Sequence, residues 1–352
     1  MGRAPQKLMQ TAVLHAAKDL RLESRAVPEL LPGQVLVRVR RAGICGSDLH
    51  YFNHGQCGEF FPTRPFILGH ECFGEIAARA PDVEAPEVGC RVVVNPAQHC
   101  GICGHCRGGR SNLCPETVML GSASTNPPTD GAFAEFVAVR AGQCHLAPPE
   151  LDDALGAMIE PVAVALHAVR RASPVSGRTV LVIGAGPIGL LVALTAKAHG
   201  AGAVLVSDLL AARRTMALKM GLHGALDPDS PTLQEQVRQL GGFEVVFEAS
   251  GSARALRQAF DLVRPGATIV QIGTLAKQEL PLPANELMTR ELQYIGSFRY
   301  GDVFEDAIAL VASGLLKLQP LITDVLPIDQ VTDAMSLAAT KETVLKVQLQ
   351  IE

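Results

Sequence analysis

The chain has 352 residues, more than the roughly 250–300 at which a single hydrophobic core stops growing, so two domains with a ligand-binding cleft between them are expected. Hydrophobic residues make up 48% and charged residues 19%, with 33 Gly and 23 Pro, a turn-rich globular composition that excludes a disordered chain. The net charge is −4 with no run of Lys or Arg, which argues against nucleic-acid and membrane-surface partners and for a small molecule.

Residues 1–14 lack the basic head, apolar core and small-residue cleavage site of a signal peptide, so a cytoplasmic location is expected. From Val13 to Cys144 the chain reads as mostly β. Residues 34–40 and Arg91-Val-Val-Val94 are β-branched runs separated by loops bearing Gly and Pro. The nine cysteines are odd in number and sit in a reducing context, which favours metal or catalytic use over disulfides.

Two sets of metal-binding residues stand out. Cys100-Gly-Ile-Cys103-Gly-His-Cys106, followed by Cys114, offers four thiolates within a short span. Four sulfurs around one Zn²⁺ leave no open position, so this set is expected to brace a loop and not to do chemistry. An iron–sulfur cluster is the competing reading, but the last spacing departs from the ferredoxin run and no second cluster motif accompanies it. The other set mixes donors: Cys45 in Gly43-Ile-Cys-Gly-Ser-Asp-Leu-His50, His70 and Glu71 in Leu68-Gly-His-Glu71, and Glu160 before Pro161. S, N and O donors from distant segments suit a catalytic zinc with an exchangeable position that polarises an alcohol or carbonyl oxygen. Singly, Cys45 reads equally as a small core residue, His70 as a satisfied imidazole and Glu160 as a helix-start carboxylate.

The apolar stretch 179–198 is broken by Gly184, Gly186, Pro187 and Gly189 and reads as a strand plus a helix, not a membrane span. Strand-like runs at 180–183, 203–207, 244–248 and 267–272 alternate with helical patterns, which predicts a doubly wound parallel sheet. Gly184-Ala-Gly186-Pro-Ile-Gly189 follows the first strand and opens a helix, the context a dinucleotide fingerprint requires. Asp208 ends the second strand, where an acid accepts hydrogen bonds from ribose and repels a 2′-phosphate; NAD is therefore expected, while Arg213 leaves room for NADP. A solvated helix charge is the alternative reading of Arg213. Residues 302–314 read as a helix and 344–351 alternate like a closing strand.

Taken in order, the Cys45 motif, Gly69-His-Glu71, the four-cysteine loop, Glu160-Pro161, the glycine motif and the terminal Lys346-Val-Gln-Leu strand resemble the medium-chain, zinc-containing alcohol dehydrogenases over nearly the whole chain. The resemblance implies an α/β protein in two parts. A β-rich, GroES-like catalytic domain would comprise residues 1–161 and 301–352, with a doubly wound Rossmann nucleotide domain, 162–300, inserted between its halves. It also implies two zinc ions per chain, one catalytic and one structural, and a nicotinamide cofactor.

Within that family, Glu160-Pro161, Ser297-Phe-Arg-Tyr300 and Tyr51 look like the sorbitol (polyol) dehydrogenase branch. By this resemblance the catalytic zinc ligands are Cys45, His70 and either Glu71 or Glu160. Ser47 and His50 carry a proton relay, or Glu160 accepts the proton instead. Tyr51, Arg299 and Tyr300 reach the substrate hydroxyls. Gly184, Gly186, Pro187, Ile188, Gly189, Asp208, Arg213, Ile272, Gly273, Thr274, Ser297, Phe298 and Arg299 contact the cofactor. Members of the branch are commonly tetramers, which makes a homo-oligomer the expectation.

Gly121-Ser-Ala123, Asp130-Gly131 and Gly-Glu59-Phe60 are similar to the L-idonate 5-dehydrogenases, which points to a sugar acid (aldonate) as substrate, with sorbitol or xylitol as the alternative polyols. A substrate carboxylate would need a cation, and Arg299 and Arg64 are the candidates. A binding protein that keeps the zinc and nucleotide sites without catalysis is the reading from another class. Cys90 replaces the family's usual aspartate, and Cys57 lies in a loop the family places near the active-site mouth, where an exposed thiol would be reactive.

Overall fold

A computed structural model of the chain describes residues 7–172, 174–277, 279–340 and 342–351. The chain divides into two compact units. One holds the chain up to Glu160 together with Phe304–Ala312 and the part from Leu321 onward; the other holds Pro161–Val303 and Ser313–Pro320. The segment 313–320 thus returns to the second unit, beyond the expected boundary at residue 301. Among the described residues no helix is long and apolar enough to cross a membrane.

In the first unit the β-branched run from Gln34 extends into the strand Gln34–Gly43, at the centre of a seven-stranded sheet. On one side it pairs antiparallel with Glu71–Arg79, which pairs in turn with Arg91–Val94. On the other it pairs with the closing strand Lys346–Gln350. A smaller sheet joins Asp19–Ala26, Leu8–Ala16 and Phe66–Ile67. The core between them is built on Phe66, Ile76, Phe133 and Val37, none of them exposed. One expectation fails here: Lys346 and Gln348 do not alternate outward. Both are buried, at 3% and 0% exposed, because the strand is covered on both faces. Their polar ends find partners inside, Gln348 Nε2 donating to the Ala154 carbonyl at 2.8 Å.

The second unit is a six-stranded parallel sheet. We label its strands β1 (Thr179–Ile183), β2 (Ala203–Ser207), β3 (Gly224–Leu226), β4 (Phe243–Glu248), β5 (Val263–Gln271) and β6 (Gln293–Gly296), and they lie in the order β3-β2-β1-β4-β5-β6. Strand order reverses between β1 and β4, the switch point at which open α/β sheets bind ligands beyond their carboxyl ends. The apolar runs of β1 (Val, Leu and Ile) and β4 (Val and Phe) are buried on both faces, as parallel strands under helices require. Helix Pro187–Ala198 starts directly beyond β1, with Pro187 in its first turn.

Candidate functional site

In the first unit the local sequence around Cys45 turns a strand into a helix. Gly46–His54 is helical, with Cys45 at its N-cap and the Asp48 carboxylate accepting the Cys45 N–H at 2.9 Å. The other Asp48 oxygen accepts the Gly69 N–H at 3.2 Å and faces His70 Nδ1 at 3.7 Å. One buried carboxylate thus aligns the segments carrying Cys45 and His70 and leaves the far side of the imidazole turned to the Cys45 sulfur. Ligand atoms of Cys45, His70 and Glu71 lie within 4.8 Å of one another. Sulfur, imidazole and carboxylate at that separation fit the mixed donor set of a catalytic zinc.

Glu71 is buried, and both its carboxylate oxygens lie 2.8 Å from Lys346 Nζ. Lys346 also donates to the Ile44 carbonyl at 3.1 Å, next to Cys45. Gly43 leaves room for this pair, since a Cβ there would sit 2.1 Å from a Glu71 oxygen. Neither Asp48 nor Lys346 stands out as a site residue in the sequence. Asp48 carried a signal in its capping-box position three residues after Cys45; Lys346, 275 residues from Glu71, carried none.

Glu160 opens the helix Ile159–Ala172 and is 6% exposed. Burial pushes its carboxyl up to about 7, against the attraction of His70 and with the repulsion of Glu71. Burial opposes a charge on His70, but Asp48, Cys45 and Glu160 together hold its pKa well above the ordinary value.

Ser47 is half-buried and His50 exposed, three residues apart on the helix, while Asp48, Tyr51 and Phe52 lie on its buried face. Tyr51 is 2% exposed, packs edge-on against Phe66 and accepts the Ala123 N–H at 3.0 Å. Its hydroxyl is thus anchored to the Ala123 segment from the same buried helix face that carries Asp48. Arg64 is engaged by Asp130 at 3.3 Å and by the Pro128 carbonyl at 2.8 Å, so it braces a loop. Cys57 is half-buried, and burial pushes its thiol up to about 11, away from the thiolate form. Gly121 and Gly131 press on Gly69 so closely that a Cβ on either would fall within 2.6 Å of its carbonyl. The motifs around them support the His70 loop.

The four-cysteine loop folds on itself. Cys103 and Cys106 N–H groups point at the sulfurs of Cys100 and Cys103, and the Cys100 N–H at Cys114, each at 3.4 Å. The Ile102 and Cys103 N–H groups hold the Cys100 thiol, and the Cys106 N–H the Cys103 thiol, below their usual range. The Cys100 and Cys106 sulfurs are 3.9 Å apart, close to the ~3.8 Å edge of a tetrahedron with Zn–S bonds of about 2.3 Å. All nine cysteines are free, and these four fit one closed zinc site.

In the nucleotide unit, Gly184 has φ +96°, and a Cβ on Gly189 would lie 1.8 Å from the Gly184 carbonyl oxygen, so the turn and the close strand–helix contact both need glycine. Asp208 accepts the Ala185 N–H at 2.8 Å and the Leu210 N–H at 2.8 Å, which ties it to the glycine turn. Gly184 and Asp208 border a cavity of about 120 Å³ with Ser250, Ser252 and Arg254. Arg213 is 7% exposed and faces Asp208 electrostatically, so it is not a solvated helix charge. Arg299 stacks over Phe298 at 4.9 Å with φ +50°, and Tyr300 is buried.

Comparison with known proteins agrees with this geometry. Residues 31–149 match the alcohol dehydrogenase GroES-like domain, and residues 187–313 match the zinc-binding dehydrogenase family. The sorbitol dehydrogenase of Bacillus subtilis is 37% identical over 333 residues, 94% of this chain and 93% of its own. The crystal structure of L-idonate 5-dehydrogenase from Escherichia coli superposes with TM-score 0.93 at 30% identity, covering 98% of this chain and 99% of that one. A putative zinc-binding dehydrogenase from Sinorhizobium meliloti, bound to NADP, superposes with TM-score 0.90 at 32% identity, covering 98% and 100%. The chain belongs to the zinc-containing medium-chain alcohol dehydrogenase family, in its polyol dehydrogenase branch. It is a zinc-dependent enzyme that uses a nicotinamide dinucleotide.

Proposed function

We propose that the enzyme oxidises a secondary hydroxyl of a sugar acid, L-idonate to 5-keto-D-gluconate, reversibly and with NAD(P). The observation that carries the reaction class is the convergence of Cys45, His70 and Glu71 beside the buried Glu160. Likeness to L-idonate 5-dehydrogenase over nearly the whole chain supports the aldonate. The 37% identity to a sorbitol dehydrogenase favours sorbitol or xylitol as a second reading, and Arg299 is the remaining candidate to meet a carboxylate.

Cys45, His70 and Glu71 would hold the catalytic zinc, with Lys346 as counter-charge to Glu71. Bound there, Zn²⁺ supplies Lewis acidity that makes the substrate hydroxyl a stronger acid near neutral pH. Glu160, buried beside His70 and Glu71, is placed to take up and release that proton. Ser47 and the exposed His50 lie along one helix face as the alternative route to solvent. Asp208 favours NAD over NADP. The same reading takes the enzyme as cytoplasmic, in keeping with nine free cysteines, and as a homotetramer, which light scattering checks.

The test follows nicotinamide absorbance with L-idonate, sorbitol, xylitol, L-threonine and glucose, each with NAD and with NADP. Selective turnover of L-idonate is the expected result. A preference for sorbitol or xylitol would replace the aldonate with a polyol, and no turnover with any compound would revive a binding protein.

A further inference from the structure

Glu248 closes β4 and is fully buried, at 0% exposed. One of its carboxylate oxygens accepts the N–H groups of Ser250 at 2.8 Å and Gly251 at 3.0 Å, and also the Ser250 hydroxyl. The other accepts the side-chain amide of Gln271, the last residue of β5, at 2.6 Å. The Glu248 carbonyl takes the N–H groups of Ile272 and Gly273, each at 2.9 Å. The Gln271 amide donates a second bond to the Gly273 carbonyl at 2.5 Å. The two turns are in close contact, since a Cβ on Gly273 would fall 2.3 Å from the Gly251 nitrogen. A buried acid thus fastens the turn after β4 to the turn after β5.

Those two turns face different parts of a dinucleotide. Ser250 and Ser252 border the same cavity as Gly184 and Asp208, the residues that serve the adenosine half. A doubly wound sheet is built of two mononucleotide-binding halves, so the second nucleotide, the nicotinamide, belongs over the ends of β4 to β6, at Ile272, Gly273 and Thr274. We propose that Glu248, acting through Gln271, is a positioning residue that sets the adenosine and nicotinamide halves of the cradle in register. This rests on the nicotinamide dinucleotide being the cofactor.

Two variants separate this role from a purely structural one. In Glu248→Gln the side-chain oxygen keeps the Ser250 and Gly251 donors, while its amide meets the amide of Gln271. Flipping Gln271 would press its oxygen on the Gly273 carbonyl, so the link to β5 breaks selectively. Gln271→Met breaks the same link from the other side and leaves Glu248 in place. The readout is the ratio of the dissociation constants of ADP-ribose, which fills only the adenosine half, and NADH, measured by calorimetry.

Both variants are expected to lower that ratio by about tenfold or more, the size of one lost hydrogen bond to a charged group, while ADP-ribose binding holds. If Glu248→Gln does not fold, Gln271→Met decides alone. An unchanged ratio, or a parallel loss of both ligands, overturns the proposal. Wild-type protein that binds neither ligand overturns the dinucleotide assignment itself, a separate result.

Discussion

Lys346 Nζ lies 2.8 Å from each carboxylate oxygen of Glu71, with both side chains almost wholly buried. Burial alone would lower the lysine's pKa, but Glu71, Cys45 and Glu160 outweigh it and raise it. Breaking a buried pair by removing one partner leaves the other charge uncompensated, at a cost of about 3–5 kcal/mol. Lys346→Met is therefore expected to lose about that much stability in zinc-free protein, as measured by urea unfolding. Zinc should restore much of it, because the freed Glu71 gains a dication as partner. Equal losses with and without zinc would separate Glu71 from the metal.

Glu160 gives the zinc-free protein a pH-dependent stability. Burial raises its pKa from 4.5 to about 7, so between those values the folded state keeps a proton that the unfolded chain has released. Stability then falls as pH rises through that window and stays lowered above it. Urea midpoints of wild type are expected to drop relative to Glu160→Gln between about pH 4.5 and 7. Parallel curves would show that the carboxyl ionises normally.

The four-cysteine loop predicts a partial loss of metal. Cys114→Ser should lower the zinc content from about two ions per chain to about one and lower the melting temperature, because a closed site contributes folding energy directly. Elemental analysis after dialysis checks this. Retention of both ions would show that this loop holds no zinc.

His50 tests the proton route. If the relay through Ser47 and His50 matters, His50→Ala depresses the rate mainly at low pH, where proton release to solvent is hardest, and added imidazole buffer restores it. Unchanged kinetics across the pH range would remove His50 and leave Glu160 as the acceptor.

The parts of this molecule legible in the sequence are those whose partners lie close along the chain. The cysteines at 100, 103, 106 and 114 and the glycines at 184, 186 and 189 fix their own geometry within one turn or loop. Unbroken apolar runs mark β1 and β4 because a strand buried on both faces needs no alternation. Tyr51 follows His50 in sequence, but helical periodicity turns it with Asp48 to the buried face, a placement that adjacency alone does not give. Lys346 and Glu248 were illegible for another reason. A charged residue in a strand reads as solvent-facing, and only the fold brings Glu71 to one and the Gln271 amide to the other.

In the proposed mechanism, polyol or sugar-acid oxidation depends on a zinc held by Cys45 and His70. Cys45→Ser tests this dependence through zinc content, NADH affinity and the rate of NAD reduction with the preferred substrate, side by side with wild type. About one zinc per chain, NADH affinity unchanged, and a rate lower by about 10³-fold or more are expected. A variant that lost this zinc yet turned over at the wild-type rate would contradict the mechanism.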